Sequence, residues 1–215
     1  MYVLNRAIKL ALLLFILLPA GHVIADESGE PALKIAQWRF YIGDFNAGSV
    51  ENQLENPSAD FTFGTNLLFA HSENFVWGVD FSYIARKYDT PANVSGGLFT
   101  IVDDDMHLDT LGIAINGIFK YATGPAEWYA GAGAGLHFSI LTITGSTLGL
   151  PGTFEERDTD IGVFYQFGVM FIIAGDNSLG IEYRNLSLDA SLPPITDGNV
   201  DIGGEFVLIN YAASF

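Results

Sequence analysis

The 215-residue sequence contains no cysteine. That absence excludes a disulfide framework and an amino terminus anchored through a lipid-modified cysteine, so the folded part must hold together without covalent cross-links. Positive charge is scarce as well, with 9 Lys and Arg against 25 Asp and Glu and a formal net charge of -16 at pH 7. So acidic a balance excludes nucleic-acid partners, which require basic patches; its plain consequence is solubility of exposed loops. The third absence is of long apolar runs. Hydrophobic residues make up 49% of the chain and aromatics 13%, yet no stretch beyond the amino terminus approaches the roughly 18 to 20 apolar residues a bilayer-spanning helix needs. Such a composition suits a sheet that spreads its apolar residues over alternate positions.

The amino-terminal 25 residues stand apart. A short basic region with Arg6 and Lys9 precedes an apolar run over residues 10–18, then Pro19 and Gly21 and the small-residue pattern at Val23 and Ala25. This pattern predicts a cleavable signal helix over residues 1–25, cut after Ala25, with one mature domain over residues 26–215. Removing Arg6 and Lys9 with it takes the net charge from -16 to -18.

Two-residue alternation recurs through the rest of the chain. Residues 34–45 place Ala36, Trp38, Phe40 and Ile42 on one side and Gln37, Arg39 and Tyr41 on the other; residues 60–71 set Phe61, Phe63, Leu67 and Phe69 against Thr62, Gly64 and Asn66. The same reading gives Phe75, Trp77, Val79 and Phe81 against Gly78, Asp80, Ser82 and Arg86, and Leu111, Ile113, Ile115 and Phe119 against Thr110, Asn116 and Lys120. A fifth run over residues 127–143 opposes Trp128, Leu136 and Phe138 to Tyr129, three glycines, His137 and Ser139, and a sixth opposes Ile161, Tyr165 and Phe171 to Asp160, Phe164 and Gln166. A seventh run over residues 179–188 has Ile181 and Tyr183 against Glu182 and Arg184, and the last extends over residues 200–215. Tight turns at residues 72–74, 123–125 and 175–178 take turns with longer connections at residues 46–59, 89–107, 145–157 and around Pro193 and Pro194. The prediction is an all-β fold, a closed eight-stranded antiparallel up-and-down transmembrane β-barrel. Trp38, Trp77 and Trp128 fall near the beginnings of strands leaving the short-turn end, and Tyr121 and Tyr211 near the ends of strands returning to it, which predicts an aromatic girdle at one membrane boundary. Glu205 shares the parity of the lipid-facing residues, so it lies either above the hydrocarbon or beside a bulge at Gly203 and Gly204.

Three stretches carry a resemblance. The chain ends on Phe215 after alternating Val207, Ile209, Tyr211 and Ala213; residues 125–138 read Pro-x-x-Gly-x-Gly-x-Gly in their small-residue pattern; and residues 179–184 read Leu-Gly-Ile-Glu-Tyr-Arg, with Asn185 where an aromatic usually follows. The chain resembles the OmpA-like and opacity-type group of small bacterial outer-membrane β-barrels over essentially all of its mature length. The resemblance implies a monomeric integral outer-membrane protein with long loops outside and both mature termini in the periplasm. It also implies lipid and lipopolysaccharide as neighbours, and Tyr211 and Phe215 as the closure and assembly signal read by the barrel assembly machinery.

An eight-stranded barrel is about wide enough for side chains to fill its lumen. The inward set, Arg39, Asp80, Arg86, Lys120, His137, Asp160, Gln166, Glu182 and Arg184, is therefore expected to pair as a buried polar network, because an unpaired charge there is costly. A structural or surface-interaction role follows, with a narrow solute channel as the transport alternative. The enzymatic alternative rests on His137 and Ser139. The pair resembles part of the His-Tyr-Ser-Asn signature of lipid A deacylases, but Ile140 stands in place of the Asn and no partner carboxylate is evident. No catalytic site, cofactor or metal centre is expected. Asp103, Asp104, Asp105, Glu155 and Glu156 are solvated loop acids that could meet lipopolysaccharide phosphates through calcium or magnesium.

Overall fold

Because successive side chains of a strand point to opposite sides, one strand can face lipid and a filled interior at once, and the whole fold repeats that arrangement. The computed structural model describes residues 35–46, 57–89, 94–96, 99–101, 105–147, 150–191 and 199–215; the expected signal helix lies outside them. The elements are β1 (Ile35–Asn46), β2 (Pro57–Ala70), β3 (Phe75–Asp89), β4 (Val94–Gly96), β5 (Phe99–Ile101), β6 (Asp105–Thr123), β7 (Ala126–Thr147), β8 (Leu150–Ala174), β9 (Asn177–Ser187), β10 (Asp189–Ser191), β11 (Asn199–Asp201) and β12 (Gly204–Ser214). Eight of them, β1, β2, β3, β6, β7, β8, β9 and β12, pair antiparallel each with the next, and β12 returns to β1. The barrel is closed. At the seam the Phe215 amide donates to the Ala36 carbonyl at 3.1 Å.

Register fixes the barrel's shape. Following paired residues from Ser214 through Gln37, Leu68, Gly78, Asn116, Gly133, Phe164 and Leu186 returns to β12 at Gly204, ten residues from the start. With a rise of about 3.3 Å per residue and strands about 4.8 Å apart, that stagger tilts eight strands by about 40°, inside the usual range. On β8 the outward residues Ile161, Val163, Tyr165, Phe167 and Phe171 are about half exposed. The ten-residue span from Ile161 to Phe171 covers roughly 26 Å along the barrel axis at that tilt, close to the ~25 Å apolar band of membrane barrels.

Three short connections, beside Asn74, Gly124 and Gly175, lie at the same end as the start of β1 and the end of β12; this is the turn end. Gly124 (φ 62°) and Gly175 (φ 56°) take up the left-handed conformation that lets the chain reverse there. The opposite end carries the long connections.

The long connections depart from expectation. Residues 145–157, read as a loop, are mostly strand, since β7 and β8 pair without interruption up to Thr147↔Leu150. Leu141 and Ile143 are buried and continue the inward alternation, so the hairpin continues the barrel pattern past the point where the outward face turns polar. Short strands β4 and β5 pair with each other, as do β10 and β11. The Glu205 ambiguity is resolved by register: Gly204 to Ala213 pair with β9 without a shift, and Glu205 is exposed on the outer face opposite Asn185.

Candidate functional site

Among the described residues, the buried charged side chains gather in the lumen. At the turn end Leu68, Val76, Ile118, Met170 and Ala212 form an apolar cluster with the Tyr129 ring. Around it Arg39 and Lys120 share Glu127, with Nη2 and Nζ at 3.3 and 3.2 Å from Oε1. Gln37 Oε1 accepts from both cations, from Arg39 Nε at 2.8 Å and Lys120 Nζ at 3.1 Å. The Arg39 guanidinium also lies 4.2 Å from the centroid of Tyr129, a cation–π contact that compensates desolvation.

A second cluster centres on Arg184. Its Nη1 and Nη2 meet Asp80 Oδ1 and Oδ2 at 3.2 and 3.3 Å, a bidentate pair, and its Nε donates to Glu182 Oε1 at 3.0 Å. Each carboxylate has a tyrosine behind it: Tyr41 OH donates to Asp80 at 2.8 Å, and Tyr129 OH donates to Glu182 at 2.8 Å. The guanidinium sits 4.5 Å from the Tyr41 ring centroid and 4.8 Å from that of Phe164. Asp80 and Glu182 are both 2% exposed, so these interactions act where water screens them little.

Beyond this layer the interior turns apolar again. Ile84, Phe164, Leu186, Phe206 and Leu208 continue into Met106, Leu108, Leu141, Ile143, Leu188, Ala190 and Ile202, all buried in one cluster at the loop end. The Asp80–Arg184–Glu182 group is thus held between two apolar clusters. Arg86 is buried on the loop side of Asp80 along β3.

The glycines make this filling possible. A Cβ on Gly133 would lie 2.5 Å from the Phe164 ring, one on Gly168 2.6 Å from the Tyr129 hydroxyl, and one on Gly64 would collide with the Tyr41 hydroxyl. Large inward rings lie over Gly64, Gly133 and Gly168 of neighbouring strands, while Gly131 and Gly135 lie against the backbone of β6 at Gly117 and Ile113, so the glycine series serves close packing.

Of the expected lumen residues, Asp80, Glu182 and Arg184 form one cluster and Arg39 and Lys120 another, bridged by Tyr129. His137 and Gln166 are buried, and neither has a hydrogen-bond partner on its side-chain nitrogen or oxygen atoms among the described residues. Asp160 is a correction. It lies opposite His137 in the register but is partly exposed, and its Oδ1 accepts the Ile161 amide at 2.6 Å instead of joining a buried network; near the barrel rim solvent and the local backbone satisfy a carboxylate at less cost than burial. Ser139 Oγ is 3.1 Å from Thr110 Oγ1. No hydrogen bond joins Ser139 to the imidazole, so the nucleophile–base contact of a hydrolase is not made. Among the described residues there is no cluster of His, Asp and Glu that could hold a metal ion; Asp103 and Asp104 lie outside them.

Outside the lumen, Tyr121 and Trp128 face each other across β6 and β7, Trp77 stacks on Phe69 at 4.6 Å, Trp38 donates to Thr65 Oγ1, and Tyr211 OH donates to Asn177 at 2.7 Å. All five lie toward the turn end. Outward tyrosines farther from the turn end, placed outward by parity but not expected to pack together, form further aromatic contacts. Tyr83, packed on Phe63 at 5.2 Å, donates to Asp109 at 2.6 Å, and Tyr183 packs on Tyr165 and Phe167 at 6.3 and 4.9 Å. Their signal was present in the outward parity of the tyrosines of β3, β8 and β9. Tyr41 and Tyr129, inward by parity, and Glu127 join the polar network although they are not among its expected members.

The family described as outer membrane protein beta-barrel domain matches residues 10–210. Among solved structures, Neisserial surface protein A aligns with a TM-score of 0.58 at 14% identity, covering 86% of this chain and 100% of that one. Ail of Yersinia pestis aligns with a TM-score of 0.45 at 13% identity (84% and 99% covered), and the amino-terminal barrel of Pseudomonas aeruginosa OprF with 0.41 at 10% (85% and 99%). No curated protein matches the sequence.

Proposed function

The chain belongs to the outer membrane protein beta-barrel domain family, and from that premise we propose a sealed, non-enzymatic barrel of the bacterial outer membrane whose work is structural or done through its exposed loops. The observation that carries this reading is the filling of the lumen: two apolar clusters close it on either side of the Asp80–Arg184–Glu182 layer. Solutes would have to displace packed side chains from both. The turn end, with both mature termini, faces the periplasm, and the β7–β8 hairpin projects outside as the surface available to partners. The Ser139 hydroxyl, bonded to Thr110 in the interior, supports a packing role over the deacylase alternative.

Planar-bilayer recording tests the proposal. Purified barrel should add no steady conductance at either polarity, whereas a reproducible open level would establish the channel alternative. The chain is proposed to act as a monomer surrounded by lipid and lipopolysaccharide, with the exposed Glu155 and the half-buried Glu156 meeting lipid phosphates through divalent cations. Lipopolysaccharide that stays bound after chelation would remove the cation from that picture.

A further inference from the structure

His137 is one of the buried polar groups, with Gln166 and Asn116, whose side chains the packing of the lumen leaves without a bonded partner among the described residues. It is 3% exposed, and neither Nδ1 nor Nε2 has a hydrogen-bond partner among the described residues. An imidazole always presents at least one N–H donor, and in its neutral form an acceptor nitrogen as well, and buried polar atoms in native proteins are almost always satisfied. The ring is held in place by shape. A Cβ on Gly112 would come within 2.7 Å of it from one neighbouring strand, and a Cβ on Gly162 within 2.7 Å from the other. The same Gly112 position also abuts Ser82 Oγ. Imidazole and hydroxyl thus converge on one glycine without bonding to each other.

The space between them is measurable. A cavity of about 20 Å³ in the lumen is lined by His137, Ser82, Thr62, Tyr41, Asp80 and Arg184 together with apolar side chains. A resident water needs roughly 10 to 15 Å³ and two to four polar partners; the cavity has the volume, and His137, Ser82, Thr62 and the Asp80–Arg184 pair set polar groups on a lining that is otherwise apolar. We propose that this cavity holds one structural water that bridges the His137 imidazole to Ser82 and to the Asp80–Arg184 pair. The water extends the central polar layer toward the loop end and gives the buried imidazole the partner that no side chain supplies. It does not depend on the lumen being non-conducting, because a hydrogen bond to the ring is read independently of how fast the water exchanges.

The test is ¹⁵N-histidine NMR of the full barrel in lipid nanodiscs, with water-to-ring cross-relaxation recorded at the His137 ring protons. The expected result is a His137 ring nitrogen at the chemical shift of a hydrogen-bonded acceptor, together with a cross-peak to water. In Gly112→Ala, whose methyl enters the gap, both signatures should be lost while the ring signals of the exposed His71 and His107 stay in place. A wild-type acceptor nitrogen at the free position with no water cross-peak means a dry cavity and overturns the proposal. A hydrogen-bonded shift without a water cross-peak assigns the bond to a protein group and overturns it too. Should Gly112→Ala fail to fold, the wild-type spectrum alone still decides. Conductance, in contrast, bears only on the sealed-barrel reading, so the two can fail separately.

Discussion

At the scale of single residues, the lumen separates charges that matter from charges that do not. Asp80 sits 2% exposed with a bidentate guanidinium and a tyrosine hydroxyl on its oxygens. Neutralising one member of a buried pair leaves the other uncompensated, which typically costs about 3 to 5 kcal/mol. Asp80→Asn should therefore lower the thermal unfolding midpoint in detergent by many degrees. Unchanged stability accompanied by altered bilayer conductance would instead mark the layer as part of a path. Arg157, paired with Glu155 at 2.5 Å, is the control, because that side chain is 74% exposed. Arg157→Ala should leave the midpoint unmoved, as exposed pairs contribute little. Which inward residues carry charge was readable from parity. Which of them touch was not, because Asp80 and Arg184 are 104 positions apart in the chain and meet only across the barrel.

At the scale of the strand, two faces obey two solvents. Ile115 on β6 is 65% exposed, outward and near the middle of the lipid band, so Ile115→Arg should cost about 2 to 4 kcal/mol on reversible folding into bilayers, the range for cations at the membrane midplane. A cost near zero would move the hydrocarbon away from that face. The β7–β8 hairpin should behave oppositely. Replacing residues 145–152 by an Asn-Gly turn removes only its distal end, and the unfolding midpoint in detergent should change little, since the membrane-embedded ladder is untouched. The alternation in Phe75 to Phe81 or Ile161 to Phe171 reads directly as strand. The hairpin's upper part was missed because Gly145, Pro151 and Gly152 are turn-forming by composition, while their pairing depends on a partner strand already in place.

For the whole molecule, closure is the decisive event. Trp38 to Asn46 pair with Ala213 to Glu205, joining the first barrel strand to the last. Ala212→Pro puts a residue without an amide hydrogen into β12 between Arg39 and Ser178. It should abolish barrel formation, read as loss of β-sheet circular dichroism and of protease resistance in detergent; a folded, resistant variant would show that the seam tolerates a break. Composition, the two-residue period, the even strand count and the aromatic girdle at the turn end were all determined by the sequence alone, because each depends on the contrast between neighbouring positions along one strand. The ten-residue stagger, the division of the charges into two clusters, the apolar clusters and the space beside His137 were decided only by the tertiary structure. Each of those depends on which residues of distant strands stand at the same height once the sheet has curled round on itself, and no local pattern encodes that height.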